Sequence, residues 1–124
     1  MASGGIYDHH LPQTAANYIP LTPISFLERT ADIYPHRTSV VYGKRHYTWA
    51  ATHSRALALA SALRRRDIGT GDTVAILSAN IPEMFEAHFG VPMSGAVLNA
   101  INVRLDSDTI RFILDHGEAK ALIV

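Results

Sequence analysis

The chain has 124 residues, of which 48% are hydrophobic and 18% charged, and its formal net charge is zero. This composition is that of a globular protein, and it excludes extensive disorder and fibrous classes. Charge neutrality argues against nucleic acid or an anionic membrane as a partner, and the absence of cysteine excludes disulfide scaffolds and thiolate metal sites. The length corresponds to one domain or to part of a larger one.

The sequence contains neither a predicted membrane span nor a secretory signal. The least polar stretch, residues 91–101, is interrupted by Pro92 and Gly95, whereas a span needs about 20 apolar residues. The N-terminal segment lacks a basic start, and Asp8 and His10 interrupt any apolar run. We therefore expect a cytoplasmic location.

Hydrophobic periodicity and turn residues divide the first half of the chain into an arm, two helices and a hairpin. Thr22 is a good N-cap and Pro23 suits the first helical position, so a helix should begin there. Thr48 has the same capping role for the second helix. The predicted elements are an irregular arm over residues 1–20, a helix ending at Pro35, strands at 39–42 and 46–48 around a turn at 43–45, and a long helix over 49–66.

The second half alternates short apolar runs with helical patterns. The predicted elements are strands at 73–77, 96–100 and 119–124, with helices at 82–93 and from a cap at 106–108 to His116. This order implies parallel strands joined by right-handed crossovers. The predicted fold class is therefore α/β, with an incomplete open parallel sheet (βαβαβ) preceded by a helix, a β-hairpin and a long helix. Because Val124 lies in a strand that lacks a covering helix, we expect the domain to be truncated.

Two helices have a predicted buried face. The expected buried residues are Ala56, Leu59, Ala60 and Leu63 in the long helix, and Met84, Phe85, Val91 and either His88 or Phe89 in the next; the last helix is indicated by Ile110, Phe112, Ile113 and Leu114. We expect Gly95 and Gly117 to end their helices, the latter in a left-handed conformation.

No catalytic or metal-binding constellation emerges from the residues alone. Gly69-Thr70-Gly71 follows a helix and precedes a strand, which is typical of a turn and not of a dinucleotide-binding loop. Ser78 follows a strand at the edge where α/β sheets bind ligands, but it lacks the flanking glycines of a nucleophile elbow. Ser94 is interpreted as part of a helix stop.

The seven histidines match no metal-ligand spacing. His9 and His10 are adjacent in the arm, and His46 and His53 are seven residues apart across an element boundary. We interpret His88 as a hydrogen-bonded packing residue. The remaining charged groups near helix ends are explained by capping and the helix dipole; they are Glu83, Glu86, Asp106, Asp108, His116 and Arg64–Arg66.

Read in order, several segments resemble AMP-forming acyl-CoA synthetases, also called acyl-activating enzymes. Each segment is weakly specific, whereas their joint order and spacing over residues 17–124 are highly specific. Ala51 and Ala100 depart from the family, which often has Glu and Thr there. The matching segments are 17–29, 47–49, 71–75, 80–92, 95–99, 102–105 and 117–123.

The resemblance implies an enzyme that activates a short- or medium-chain carboxylic acid with Mg-ATP. The acyl-adenylate would then be transferred to the thiol of coenzyme A, since adenylation supplies a good leaving group. The family's phosphate loop, adenine motif, ribose ligand, hinge and adenylating lysine all lie downstream of the matching region. No catalytic, cofactor-binding or metal-binding residue can therefore be assigned in these 124 residues, and the chain alone is predicted to bind no cofactor.

The resulting domain assignment is an arm over residues 1–20 and a truncated N-terminal portion of an AMP-binding domain over 21–124. Its expected partners are the missing remainder of the synthetase and, in the full-length enzyme, a carboxylic acid of fatty acid metabolism. Two alternatives remain open, namely a stand-alone binding or regulatory module that reuses the fold and a small complete enzyme. An uncovered apolar strand at 121–124 predicts that the isolated chain aggregates or packs loosely.

Overall fold

The computed structural model describes residues 14–16 and 18–124. Most of the predicted arm, residues 1–13 and Asn17, lies outside these described residues. The described part contains, in chain order, α1 (Pro23–Ile33), β1 (Thr38–Tyr42), β2 (Arg45–Thr48), α2 (Trp49–Arg64), β3 (Thr73–Leu77), α3 (Pro82–Ser94), β4 (Val97–Ile101), α4 (Ser107–His116) and β5 (Ala119–Ile123).

Polar caps fix where three of the helices begin. Thr22 accepts a hydrogen bond from the backbone N–H of Ser25 at 3.2 Å, and the Ser25 hydroxyl accepts one from the N–H of Thr22 at 3.1 Å. This reciprocal pair is a capping box that satisfies two N–H groups at the start of α1. Thr48 caps α2 and Asp106 caps α4 through their side-chain oxygens, as predicted.

The three C-terminal strands form one parallel sheet in the order β4-β3-β5, which confirms the predicted fold class. Val74 in the central strand lies opposite Leu98 on one side and Ala121 on the other. The strands β1 and β2 form a separate antiparallel hairpin. Because β4 and β5 lie on opposite sides of β3, right-handed crossovers place α3 and α4 on opposite faces of the sheet.

The hydrophobic core lies between the sheet and the layer formed by α2 and α3. Val74, Ala75 and Ile76 in β3 are at most 1% exposed, which confirms that this strand is covered on both faces. The core cluster on the α2–α3 side consists of Leu63, Ile68, Val74, Ile76, Ala87, Val91 and Ala96.

The helices α2 and α3 approach each other closely at Gly90. A Cβ atom at this position would lie 2.8 Å from the backbone oxygen of Ala56 and 2.9 Å from Cδ2 of Leu59. Leu59 itself is half-buried, whereas Ala56 is fully buried, as predicted. The absence of a side chain at Gly90 therefore determines the distance between the two helices.

The opposite face of the sheet is less well covered. Asn99 pairs with Ala75, and a Cβ atom on Gly117 would lie 3.1 Å from Nδ2 of Asn99, so the end of α4 reaches this face. None of the residues of α4 is buried, and Phe112 is 65% exposed. Of the four apolar residues that indicate this helix in the sequence, Phe112 is thus exposed, and Ile110, Ile113 and Leu114 are half-buried.

Several element boundaries differ from the predictions. The helix α2 ends at Arg64 rather than Arg66, and Arg45 belongs to β2 rather than to the turn. Gly117 has a φ of −81°, so it is not left-handed; the positive φ of 49° belongs to Glu118. Gly117 is instead required by space, since a Cβ there would lie 2.9 Å from the backbone oxygen of Ile113. The strand β4 begins one residue later than predicted.

Gly95 behaves as predicted. It ends α3 in the left-handed region with a φ of 94°, and a Cβ there would lie 2.7 Å from Oγ1 of Thr70.

Among the described residues, no helix combines the length and the apolar character that crossing a membrane requires.

Candidate functional site

A polar pocket lies where the loops after β3 and β4 meet, and we call it the sheet-edge pocket. Carboxyl ends of parallel strands share one edge of a sheet, which is where open α/β sheets bind ligands. The pocket has a volume of about 630 Å³. Its polar lining comes from Ser78, Asn80, His88, Asn102 and Arg104.

The loop after β4 is held in a tight turn that presents Arg104. The side-chain oxygen of Asn102 accepts a hydrogen bond from the backbone N–H of Arg104 at 2.9 Å. The backbone oxygen of Asn102 accepts another from the N–H of Leu105 at 3.3 Å. These two contacts orient the loop and leave the Asn102 amide nitrogen as a donor.

Arg104 makes no ion pair with any residue in the described ranges, unlike Arg45, Arg55 and Arg111. Among the described residues, no acidic side chain lines the sheet-edge pocket. A guanidinium presents five N–H donors in a planar fork that matches carboxylate and phosphate groups. The electrostatics of the pocket therefore favour an anionic group.

His88 and Ser78 line this pocket without forming a catalytic pair. The Nδ1–H of His88 donates to the backbone oxygen of Met84 at 2.8 Å. The hydrogen bond predicted for His88 is confirmed; of the two alternatives predicted for the buried face, His88 is exposed and Phe89 is half-buried. Within residues 14–16 and 18–124, no histidine is hydrogen-bonded to Ser78.

An apolar groove adjoins the sheet-edge pocket, and we call it the hairpin groove. It lies between β1 and α3 and also has a volume of about 630 Å³. The two cavities share Asn80, Met84 and His88. The apolar walls of the groove are formed by Val40, Val41, Tyr42, Ile81, Phe85 and Phe89.

A chain of alternating charges joins the hairpin, α2 and α3 beside the hairpin groove. Arg45 contacts Glu83 at 2.9 Å, and Arg55 contacts Glu83 at 3.6 Å while its Nε donates to the buried Glu86. The backbone N–H of Glu83 and then Arg45 lower the pKa of the Glu83 carboxyl group. Hydrogen bonds from Arg45 to Glu83 and from Arg55 to Glu86 raise the pKa values of the two guanidinium groups.

The sequence did not predict this charge chain, because its partners are 28 to 38 residues apart. Glu83 and Glu86 were interpreted as ordinary residues of a helix start, yet Glu86 is only 6% exposed. The local pattern gives no signal for this burial, because Glu86 lies away from the helix face formed by Met84, Phe85 and Val91. A buried carboxylate requires a cationic partner, and here Arg55 supplies it from another helix.

The glycine-rich segment between α2 and β3 is a turn, as predicted. The backbone N–H of Gly69 donates to Asp72 at 2.8 Å, and Gly71 has a φ of 89°. Lys120 in β5 contacts the Asp72 carboxylate at 3.1 Å. The Gly69 N–H and then Lys120 lower the pKa of Asp72, which ties the start of β3 to β5.

The histidines remain scattered in the part of the chain that the structure describes. There, no three His, Asp or Glu side chains lie close enough together to hold a metal ion. His9 and His10 lie outside the described residues. Nε2 of His53 is buried without a hydrogen-bond partner, and His116 stacks on Phe112 with 5.4 Å between ring centroids.

Arg65 and Arg66, which were predicted to lie in the last turn of the long helix, instead follow the end of α2. Their guanidinium groups donate to Ser61 Oγ and to the backbone oxygen of Ala62.

Asp106 has a lowered pKa because it accepts hydrogen bonds from the hydroxyl and the backbone N–H of Thr109. These contacts support the capping interpretation of both helix ends.

Comparisons with known proteins give a consistent result. The chain is 54% identical over 114 residues to an acetate–CoA ligase of Humulus lupulus and to a peroxisomal acetate/butyrate–CoA ligase of Arabidopsis thaliana, covering 92% of this chain and 20% of each relative. The unliganded O-succinylbenzoate coenzyme A synthetase of Bacillus subtilis superimposes with a TM-score of 0.74 at 26% identity, over 78% of this chain and 21% of that one.

The chain thus spans about one fifth of the length of the curated relatives that it matches. The family model described as AMP-binding enzyme matches residues 27–124. This range includes α2, the parallel sheet and every residue of the sheet-edge pocket. The chain belongs to the AMP-binding enzyme family.

Proposed function

We propose that residues 21–124 form the N-terminal portion of an acid–CoA ligase that activates a short- or medium-chain carboxylic acid as its acyl-adenylate. The observation that carries this proposal is the sheet-edge pocket, where Arg104 faces no acidic residue of the part of the chain that the structure describes. The relatives named for acetate and butyrate support the substrate class. Fatty acid metabolism is the corresponding biological context.

The charge of the pocket suits the chemistry of this reaction. A carboxylate, the ATP triphosphate and the phosphates of coenzyme A are all anions, so each needs positive charge and N–H donors to bind. Arg104 supplies a planar fork of donors, and the Asn102 amide supplies another next to it. We propose that this pocket holds an anionic part of one of these three substrates in the full-length enzyme.

We propose that the 124-residue chain is inactive alone. The family motifs that bind ATP and Mg²⁺ and the lysine used in adenylation have no counterpart in this sequence. The test is ATP–pyrophosphate exchange with acetate, butyrate, hexanoate and benzoate. We expect no exchange above a no-protein control; exchange by a preparation free of host ligases would contradict the proposal.

A chimera tests the contribution of this chain to a complete enzyme. The matching 114-residue segment of the Humulus acetate–CoA ligase would be replaced by the corresponding segment of this chain. We expect the chimera to form acetyl-CoA, since a segment 54% identical should dock on the remaining four fifths. A chimera that unfolds cooperatively as a monomer, yet forms neither acyl-adenylate nor thioester, would overturn the proposal.

The role of Arg104 is tested in the same chimera. We expect Arg104→Ala to raise KM about 10-fold or more for the one substrate that contacts it, in line with about 1.5–3 kcal/mol for a hydrogen bond to a charged group. Arg104→Lys should restore part of this loss. Arg111→Ala is the matched control, because Arg111 lies on α4 and pairs with Asp108 outside the pocket. Equal effects of the two alanine variants would contradict the assignment.

A cytoplasmic location is part of this proposal. Relatives named as peroxisomal make the peroxisome the competing location. Expression of the protein from its native gene with a fluorescent label at the N-terminus distinguishes the two. A diffuse signal is expected, and coincidence with a peroxisomal marker would refute the proposed location.

A further inference from the structure

The base of the β1–β2 hairpin is firmly attached to α2. The hydroxyl groups of Ser39 and Thr52 are hydrogen-bonded at 2.6 Å, and Thr52 is fully buried. The backbone N–H of Trp49 donates to the oxygen of Arg37 at 3.0 Å. The hairpin packs on α2 and has no hydrogen bond to the three-stranded sheet, so α2 is its support.

The tip of the hairpin is attached differently. Directly after the turn at Gly43 and Lys44, the guanidinium of Arg45 makes two hydrogen bonds to the Glu83 carboxylate of α3, at 2.9 and 3.4 Å. The hairpin groove lies between β1 and α3, where apolar packing would otherwise join them. The tip is therefore held on α3 by an ion pair across an unfilled groove.

We propose that the hairpin, residues 38–48, is a lid over the hairpin groove, hinged on α2 and latched by the contact between Arg45 and Glu83. Opening the latch separates the tip from α3 and exposes Phe85 and Phe89, while the base stays in place through Ser39 and Thr52. Thus a polar contact, rather than the core, controls access to an apolar cavity.

The charges around the latch allow it to open independently. Arg55 lies 3.6 Å from Glu83 but donates to Glu86, so its main pairing persists when Arg45 leaves. Arg45 and Glu83 have side chains that are 45% and 40% exposed. Pairs this exposed contribute little stability and are weakened by salt, which gives a lid that opens reversibly.

The sequence provides a selective probe of this motion. It contains two lysines, Lys44 at the hairpin tip and Lys120 in β5, so a lysine-specific endoproteinase reports on both places in one experiment. Cleavage of native protein follows the population of the open form when opening is fast. In the 124-residue chain, we expect Glu83→Gln to accelerate cleavage after Lys44 about two- to five-fold and to leave cleavage after Lys120 unchanged.

A second variant and a salt series make the test decisive. Arg45→Met removes the same contact, so the double variant should cleave no faster than either single variant. Each rate of cleavage after Lys44 is divided by the rate for a peptide of residues 39–49 at the same salt concentration. Raising the NaCl concentration should increase this ratio for the wild type but not for Glu83→Gln. Asp108→Asn, in an ion pair on α4, is the control. Unchanged cleavage after Lys44, or equal acceleration at both lysines, would overturn the proposal.

Discussion

The two faces of the parallel sheet differ in how completely they are covered. On one face, α2 and α3 bury Val74 and Ile76 to at most 1% exposure, and the helices touch closely at Gly90. On the other, α4 contributes no buried residue and leaves Phe112 65% exposed. The helix α4 is more strongly amphipathic than α2 and α3, yet it should contribute less to stability, because packing against a second element determines a helix's contribution.

The largest expected effect on stability comes from truncating a core side chain on the face of the sheet that α2 and α3 cover. Ile76→Ala should lower the free energy of unfolding by about 2–5 kcal/mol, since it leaves a cavity in the core. Phe112→Ala on the open face should change it by no more than about 0.5 kcal/mol. Denaturant unfolding of the two variants measures both values. Comparable losses would show that α4 is packed as tightly as α3.

The next effect concerns the contact between α2 and α3. Gly90→Ala should destabilise the protein by about 1–3 kcal/mol, because the new methyl group would meet a backbone oxygen that cannot move alone. Gly69→Ala is the matched control, since its Cβ would lie 3.4 Å from the nearest atom, the oxygen of Ser94. Thermal unfolding distinguishes them. A Gly90→Ala variant as stable as the wild type would mean that the helices separate easily.

The smallest effect is the pH dependence contributed by Asp72, which joins β3 to β5. Its pKa is lowered in the folded state by the Gly69 N–H and by Lys120. Its stabilisation is therefore complete above the ordinary aspartate pKa and is lost as pH falls through the lower, folded value. Asp72→Asn should be less stable than the wild type at pH 7, and the difference should shrink under acid. Urea unfolding between pH 7 and pH 3 measures it.

Asp108→Asn controls for the loss of a carboxylate, because the Asp108 carboxylate is exposed on the surface of α4 and pairs with Arg111 at 3.6 Å. This variant should follow the wild-type curve closely. If Asp72→Asn also follows it over the whole pH range, the tie between β3 and β5 contributes nothing to folding.

The sequence predicted the elements and the parallel sheet because their signals are local. Thr22, Thr48 and Asp106 are caps that act within three residues, and Gly95 adopts the left-handed conformation that ends a helix. The apolar run at 73–77 is short and continuous, which is typical of a strand covered on both faces. Such patterns need no knowledge of distant partners.

The sequence was less informative about which side chains are buried, because burial depends on tertiary packing. The periodicity of α4 identifies an apolar face, but it does not reveal how much of the sheet is available to cover Phe112. Either His88 or Phe89 was expected on the buried face; His88 is exposed and Phe89 is half-buried, whereas the neighbouring Glu86 is buried because Arg55 reaches it from another helix. In the candidate site, Ser78 could be identified from the sequence because it directly follows a strand. Asn102 and Arg104 could not, because they come close to Ser78 only when β4 pairs with β3.

The most direct test of the difference between the two faces is residue-resolved amide hydrogen exchange of the 124-residue chain. Exchange reports the free energy of opening at each amide, so well-packed elements exchange near the global limit and weakly packed ones exchange by local opening. The slowest amides should be those of Val74–Ile76 in β3 and Ala87–Val91 in α3. Amides of α4 should exchange at least 10-fold faster, which corresponds to about 1.4 kcal/mol. Equal protection of α4 and β3 would contradict the conclusion that the α2–α3 face holds the fold together.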